Sequence, residues 1–152
     1  MWFFGLLVIL TIVAVSVQVS YNLGQQLTSQ KLDEARKRWE KEGPRDYDME
    51  YTIKKLDDSE TYNVQVRQGK VVSVARNGLP EEARFYHYRD MPALFGFLEE
   101  FLNRDTRPTA PRTFATATFD PQDGHLIHYV RSVMSTRERQ EINVQLQPVR
   151  NS

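Results

Sequence analysis

The chain has few residues of the kinds that carry out chemistry: it contains three histidines and no cysteine. His125 and His128 lie three residues apart on a predicted strand, so their side chains point to opposite faces and do not form a chelating pair. Asp120, Asp123 and Gly124 resemble part of a calcium-binding loop, but such a loop needs more oxygen ligands and a late glutamate. Their spacing is typical of a hairpin turn, and we predict neither a metal ion nor a cofactor.

The sequence shows no recognisable catalytic pattern. The adjacent acids Asp57-Asp58 and Glu81-Glu82 lie in predicted loops, whereas general acid–base catalysis needs two carboxylates held across a cleft in different environments. The chain contains no Gly-x-Ser-x-Gly turn, phosphate-binding loop, Rossmann glycine pattern or His-Glu-x-x-His helix. We therefore predict that the protein is not an enzyme and assign no catalytic residue, although a serine nucleophile outside these motifs stays open.

The distribution of charge divides the chain into two parts. Its 20 basic and 20 acidic residues all follow residue 30. The balanced charge argues against nucleic acid as a partner, because nucleic-acid-binding domains carry a basic stripe. Residues 2–17 are almost entirely apolar, and continued to Tyr21 they make a helix of about 20 residues, which is long enough to cross the hydrocarbon of a bilayer. The sequence therefore predicts a lipid bilayer as a partner and a transmembrane signal anchor over residues 1–21.

Aromatic residues flank this predicted anchor, as they do at membrane–water interfaces. The residues predicted to contact the bilayer are Trp2, Phe3, Phe4, Leu7, Leu10 and Tyr21. Two alternatives stay open. One is a cleaved signal peptide, for which Ala14-Val15-Ser16 is a weak site, and the other is a helix buried in a soluble protein.

Hydrophobic periodicity divides the rest of the chain into a juxtamembrane linker helix over residues 22–44 and an α+β domain over residues 45–149. Gly43-Pro44 is a typical helix end. From Tyr47 onward apolar residues alternate with polar ones, as in half-buried strands, and Gln68-Gly69 is typical of a hairpin turn. A second helix begins at Asp90 and has a broad apolar face. We predict a six-stranded antiparallel sheet in α-βββ-α-βββ order, with the helices packed on one face.

Several segments resemble a family of uncharacterised bacterial cell-envelope α+β domains that are anchored or secreted. The resemblance is carried by the stretch from Arg38-Trp39 through Tyr47, the hairpin Val64–Val74, the helix start Met91–Leu98, and Thr118-Phe119-Asp120-Pro121 followed by Gly124. Phe119 stands where that family has tyrosine, and His125-Leu126 stands where it usually has Tyr-Pro. The resemblance implies a bacterial origin and an exported domain, and it implies no activity.

Two features of the sequence give opposite predictions for the side of the membrane on which the domain lies. The resemblance places the domain on the periplasmic or extracellular side, which we favour. Lys31, Arg36, Lys37 and Arg38 follow the predicted anchor, and a strict count of positive charges would instead place the domain in the cytoplasm.

The function that these features favour is binding without catalysis. We expect a single-pass membrane protein whose soluble domain binds a protein partner in the envelope, as an accessory subunit of a membrane complex. The final strand is a candidate edge, and an unpaired edge is a template for another chain. The predicted partner-binding residues are Ile142, Val144 and Leu146 of this strand, and Phe85, Tyr86 and Tyr88 of an aromatic loop. The alternative is a small-ligand-binding or enzymatic domain that uses the sheet face.

The predicted anchor leads to a direct expectation for membrane extraction. We predict that alkaline carbonate leaves the full chain in the membrane pellet, because an uncharged span of this length is favoured in hydrocarbon. Recovery of the chain in the supernatant, or a mature N-terminus near Val17, would contradict the prediction.

Overall fold

A computed structural model describes residues 26–149. Within that range the chain forms two α-helices, a 3-10 helix and seven strands. They follow in the order α1 Ser29–Glu42, β1 Tyr47–Lys55, β2 Asp58–Arg67, β3 Lys70–Arg76, β4 Leu79–Pro80, the 3-10 helix Ala83–Tyr88, α2 Met91–Asp105, β5 Thr113–Phe119, β6 Leu126–Val133 and β7 Arg139–Pro148.

The seven strands form one sheet in the order β4-β3-β2-β1-β7-β6-β5, and every neighbouring pair is antiparallel. The centre of the sheet is the pairing of β1 with β7, which runs from Tyr47 opposite Pro148 to Lys55 opposite Gln140. At one edge, β4 pairs only with Ala75 and Arg76 of β3. At the other edge, Gln26 forms an isolated bridge with Thr116 of β5.

The prediction of a six-stranded sheet behind an N-terminal transmembrane helix is wrong as a description of this fold. The sheet has a seventh strand, β4, which was missed because it has two residues and one of them is Pro80, a residue that cannot donate to a strand ladder. None of the helices within residues 26–149 combines the length and the apolar character that a bilayer crossing requires. The predicted anchor lies outside the described residues, as do its predicted bilayer contacts Trp2, Phe3, Phe4, Leu7, Leu10 and Tyr21.

The core lies between one face of the sheet, the inner face, and the two α-helices. Tyr47, Met49 and Tyr51 of β1 alternate with polar residues and are buried on the inner face. The apolar side of α2 packs against them through Leu94, Phe95 and Leu98. The Tyr47 hydroxyl accepts a hydrogen bond from the Met91 backbone N–H at 3.3 Å, which fixes the start of α2 over the end of β1.

Helix α1 covers the same inner face. Its N-cap is Thr28, whose side chain accepts from the Lys31 N–H at 3.2 Å and satisfies one of the free donors of the first turn. The buried Trp39 meets the ring of Tyr47 edge to face at 5.3 Å. An ion pair of 2.6 Å between the half-buried side chains of Arg36 and Glu99 joins the two helices.

Gly124 fixes the close approach of the β5–β6 turn to α1. Its φ is +82°, in the left-handed region that favours glycine. A Cβ at this position would also meet the carbonyl oxygen of Ala35 and the backbone nitrogen of Trp39 in α1. Gly69, in the β2–β3 turn, has a similar φ of +72° but open space where its Cβ would be.

These two glycines give a matched test of the packing of α1. We expect Gly69→Ala to lower the free energy of unfolding by about 1 kcal/mol, the backbone cost alone. Gly124→Ala should lower it by about 1–3 kcal/mol more, because the methyl group overpacks against helix backbone. Urea denaturation of both variants measures the difference, and equal losses would show that α1 does not pack on this turn.

Candidate binding cleft

A cleft of about 600 Å³ lies at the edge of the sheet, between the ends of β2, β3 and β4 and the residues around the 3-10 helix. We refer to it as the β4 cleft. Its charged lining residues include Glu60, Arg76, Glu81 and Arg89, and its apolar lining residues are Leu79, Pro80 and Phe85.

Arg89 and Glu81 form a bidentate ion pair on the floor of the β4 cleft. Arg89 donates from Nε and Nη2 to the two carboxylate oxygens of Glu81, each at 2.7 Å. The side chains are 21% and 10% exposed, so most of the pair is shielded from water. The hydrogen bonds from Arg89 hold the pKa of Glu81 below its usual range, and the same bonds raise the pKa of Arg89. Both groups are therefore charged at neutral pH.

Two tyrosines form the layer beneath this ion pair. The rings of Tyr51 and Tyr62 stack at 4.8 Å, and the guanidinium of Arg89 lies 4.5 Å from the centre of the Tyr62 ring. Burial raises the pKa of both tyrosine hydroxyls. The Tyr62 hydroxyl donates to Glu60 at 2.8 Å, and Arg76 also pairs with Glu60 at 3.3 Å. The charged lining of the cleft is therefore held by neighbouring side chains.

Apolar side chains at the β4 cleft stay in contact with water. Leu79 is 73% exposed and Phe85 is 37% exposed. Of the other two aromatic residues of the predicted loop, Tyr88 is exposed and contacts the ring of His87 at an interplanar angle of 44°, whereas Tyr86 packs partly against the core. The structure thus brings Phe85 to the cleft and directs Tyr86 inward.

The chemistry of the β4 cleft suits binding better than proton transfer. Its three carboxylates, at Glu60, Glu81 and Glu82, already accept hydrogen bonds from arginine or tyrosine, so none is poised as a base. Among the described residues that line the cleft there is no serine, histidine or threonine to act as a nucleophile or proton shuttle. The absence of enzymatic activity itself stays a prediction.

The final strand, which was predicted to be an edge strand that docks a partner, lies inside the sheet. The segment containing Ile142, Val144 and Leu146 is β7, which pairs with β1 on one side and β6 on the other. Ile142 and Val144 are buried, and Leu146 packs against the core. The expectation of an edge strand is therefore wrong, because the last strand of the chain inserts at the centre of the sheet.

The residues considered as calcium ligands form the hairpin turn between β5 and β6. Asp120, Asp123 and His125 bring their ligand atoms within 4.8 Å of one another. Their hydrogen bonds lie within the turn: Asp120 accepts from the Gln122 N–H at 2.7 Å, and Asp123 accepts from the His125 N–H at 2.9 Å. The ring of His125 also lies 2.6 Å from Asp123. These hydrogen bonds within the hairpin turn are sufficient to explain why the three side chains lie close together.

The outer face of the sheet, opposite the helices, is polar. The described part of the chain places no helix on it, and a shallow depression of about 250 Å³ crosses β2, β1 and β7. Its polar lining residues are Asp48, Glu50, Asn63, Gln65, Gln145 and Gln147. Asp48 is paired with Arg67 at 2.8 Å. This face is where the alternative small-ligand site would lie.

Local patterns in the sequence do not predict the β4 cleft. In the sequence Glu81 is one of two adjacent acids in a predicted loop, and Arg89 belongs to no recognisable motif. The two residues are eight positions apart and lie on either side of the 3-10 helix. No short motif spans such a connection, so only the acid before the helix and the arginine after it could have indicated the pair.

The fold and the cleft define an antiparallel α+β domain with a candidate binding site at one edge of its sheet. Residues 31–125 match DUF6174, a family of unknown function, and because this is more than half of the chain, the chain belongs to that family. The matched range runs from α1 to the β5–β6 turn and includes the whole β4 cleft. The expectation of an uncharacterised domain is confirmed, whereas its bacterial envelope location stays a prediction. No curated protein matches the chain.

The ion pair in the β4 cleft predicts a particular dependence of stability on pH. Because the folded-state pKa of Glu81 is below its ordinary value of 4.5, its contribution is fully present above about pH 4.5 and is lost as the pH falls through the folded pKa. Glu81→Gln should cost about 1–2 kcal/mol at pH 7, and the difference from the wild type should shrink at pH 3.

Urea denaturation at a series of pH values measures this effect. The matched control is Glu82→Gln, which neutralises the adjacent exposed glutamate and should change stability by less than about 0.5 kcal/mol. A constant difference between Glu81→Gln and the wild type from pH 7 to pH 3 would show that the pair does not stabilise the fold through its charge.

Proposed function

We propose that this domain is a non-catalytic binding module that holds a short segment of a protein partner in the β4 cleft. The observation that carries the proposal is the exposure of Leu79 and Phe85 beside a charged floor whose groups are already paired. Such a floor is preorganised, so binding would not require a new ordering of its side chains.

The chemistry of the cleft favours a partner segment with one apolar side chain flanked by polar backbone or side-chain groups. Apolar and aromatic side chains at the centre of a contact supply most of its binding energy, and surrounding polar groups exclude water and fix orientation. Leu79 and Phe85 would supply the apolar contact. The carboxylate of Glu60 and the guanidinium of Arg76 could hydrogen-bond to the polar groups of the segment.

We also propose that the chain is attached to a membrane and acts there as an accessory subunit. The support is the absence of any charged residue before Lys31 and the apolar character of residues 2–21. The location of the domain on the exported side rests on the family resemblance. Attachment would raise the effective concentration of the domain near a partner in the same membrane, so a modest affinity would suffice.

Photo-crosslinking in cells that make the full chain tests the cleft. A photoreactive amino acid replaces Leu79 in one variant and Phe85 in a second. The matched controls place it at Leu56 or Met134, two exposed apolar positions outside the cleft. We expect a crosslinked species of the same mass from both cleft positions and none from the controls.

Two further outcomes decide against the proposal. Equal crosslinking at all four positions would indicate non-specific collisions. A lack of crosslinking at both cleft positions, with the full chain present at its normal level, would show that the β4 cleft does not hold a protein segment.

A further inference from the structure

A second cavity lies near the other edge of the sheet and is rich in arginine. It measures about 350 Å³ and lies between the end of α2, the loop before β5 and the β6–β7 turn. We refer to it as the arginine cavity. Residues 104–112 and 131–139, which contain this region, hold six of the chain's 20 basic residues and two of its 20 acidic residues. The chain as a whole has a formal net charge of zero, so this region is more basic than the rest of the chain.

Arg131 is the centre of the arginine cavity. It is 4% exposed, donates from Nε and Nη2 to the carboxylate of Asp105 at 2.8 and 2.7 Å, and donates from Nη1 to Glu138 at 2.9 Å. The hydrogen bonds from Asp105 raise the pKa of Arg131. Both acidic residues of the region are therefore engaged by this one buried guanidinium.

Of the other arginines of the region, Arg139 pairs with Glu141 at 3.6 Å, whereas Arg104 and Arg107 form no ion pair among the described residues. Arg104 lies over the ring of Phe101 at 4.3 Å and Arg131 lies 4.9 Å from the centre of the same ring, so both guanidinium groups contact one aromatic side chain. Arg107 lines the cavity and has no acidic partner among the described residues. Arg112, whose carbonyl accepts from Met134, ties the loop before β5 to the β6–β7 turn at 2.8 Å.

We propose that the arginine cavity binds a phosphate-bearing anion through Arg104 and Arg107. Guanidinium groups match the geometry of phosphate oxygens, and Thr109 adds a hydroxyl donor to the same cavity. The cavity volume is sufficient for a phosphate group but small for a protein segment. Arg131 serves as a positioning residue, because it occupies both carboxylates and joins the end of α2 to the β6–β7 turn.

The source of the phosphate that the structure favours is an anionic lipid headgroup. A neighbouring cavity shares Asp105 with the arginine cavity and is lined by Gln26, Leu27, Thr28 and Ser29, the first described residues of the chain. The anion site therefore lies close to the point where the domain joins the uncharged N-terminal stretch. This choice of source rests on the proposed membrane attachment, whereas the phosphate chemistry does not.

Thermal melting of the full chain in a non-ionic detergent tests the proposal at low salt. The probes are dihexanoylphosphatidylglycerol, inorganic phosphate and the zwitterionic dihexanoylphosphatidylcholine. We expect phosphatidylglycerol to raise the Tm by about 3 °C or more at concentrations well above its Kd, and phosphatidylcholine to have no effect. The shift should decrease at 0.5 M salt, since these arginines are exposed to screening.

The decisive comparison uses two variants that remove equal charge. Arg104→Gln/Arg107→Gln should abolish the shift, whereas Arg45→Gln/Lys70→Gln, which removes two exposed charges near the β2–β3 turn, should retain it. Melting without ligand shows that each variant is folded. The charge-conserving Arg107→Lys should keep part of the shift.

The probes also separate the two sources of phosphate. A shift with phosphatidylglycerol alone supports a lipid headgroup, and a shift with inorganic phosphate that the Arg104→Gln/Arg107→Gln variant loses supports a free phosphate. No shift with any probe, an equal shift with phosphatidylcholine, or a shift that survives in that variant overturns the proposal. Because Leu79 and Phe85 lie near the opposite edge of the sheet, crosslinking in the β4 cleft succeeds or fails independently.

Discussion

The pairing of β1 with β7 at the centre of the sheet is the constraint on which the rest of the structure depends. These are the first and last strands of the domain, and they pair along the full length of β1. Their contact joins the buried side chains of β2 and β3 to those of β5 and β6, so that α1 and α2 cover one continuous inner face. Such a pairing brings together distant parts of the chain, so its loop-closure cost is offset only when the apolar residues of both halves are buried together.

Two arginines stabilise the regions on either side of this centre by the same physical means. Arg89 and Arg131 each pair with a carboxylate through two hydrogen bonds, and each packs its guanidinium against an aromatic ring. The surroundings of the two differ. Around Arg89 the charges balance and apolar side chains are exposed, which favours a protein segment as a ligand. Around Arg131 the acids are occupied and further arginines face the cavity, which favours an anion.

Local features were predictable where a few neighbouring residues decide the backbone. Asp90 caps α2 as expected, and its side chain accepts from the Ala93 N–H at 2.9 Å. The β2–β3 hairpin turns at Gln68-Gly69, where both residues have positive φ. The β5–β6 turn is held by hydrogen bonds to Asp120 and Asp123. The two-residue strand β4 was not predictable, because a strand this short has no alternation to recognise.

The sequence by itself determined which of the longer segments become α-helices and strands and which of their faces are apolar, since periodicity, caps and turn residues act over a few positions. Only the tertiary structure decided where each strand lies in the sheet. Residues 142–146 alternate as an edge strand or a central strand would, and pairing on both sides is what buries Ile142 and Val144. The contacts of Glu81 with Arg89 and of Asp105 with Arg131 likewise depend on how separate elements pack. Long-range packing of this kind leaves no local spacing in the sequence, and both cavities lie where it brings the chain together.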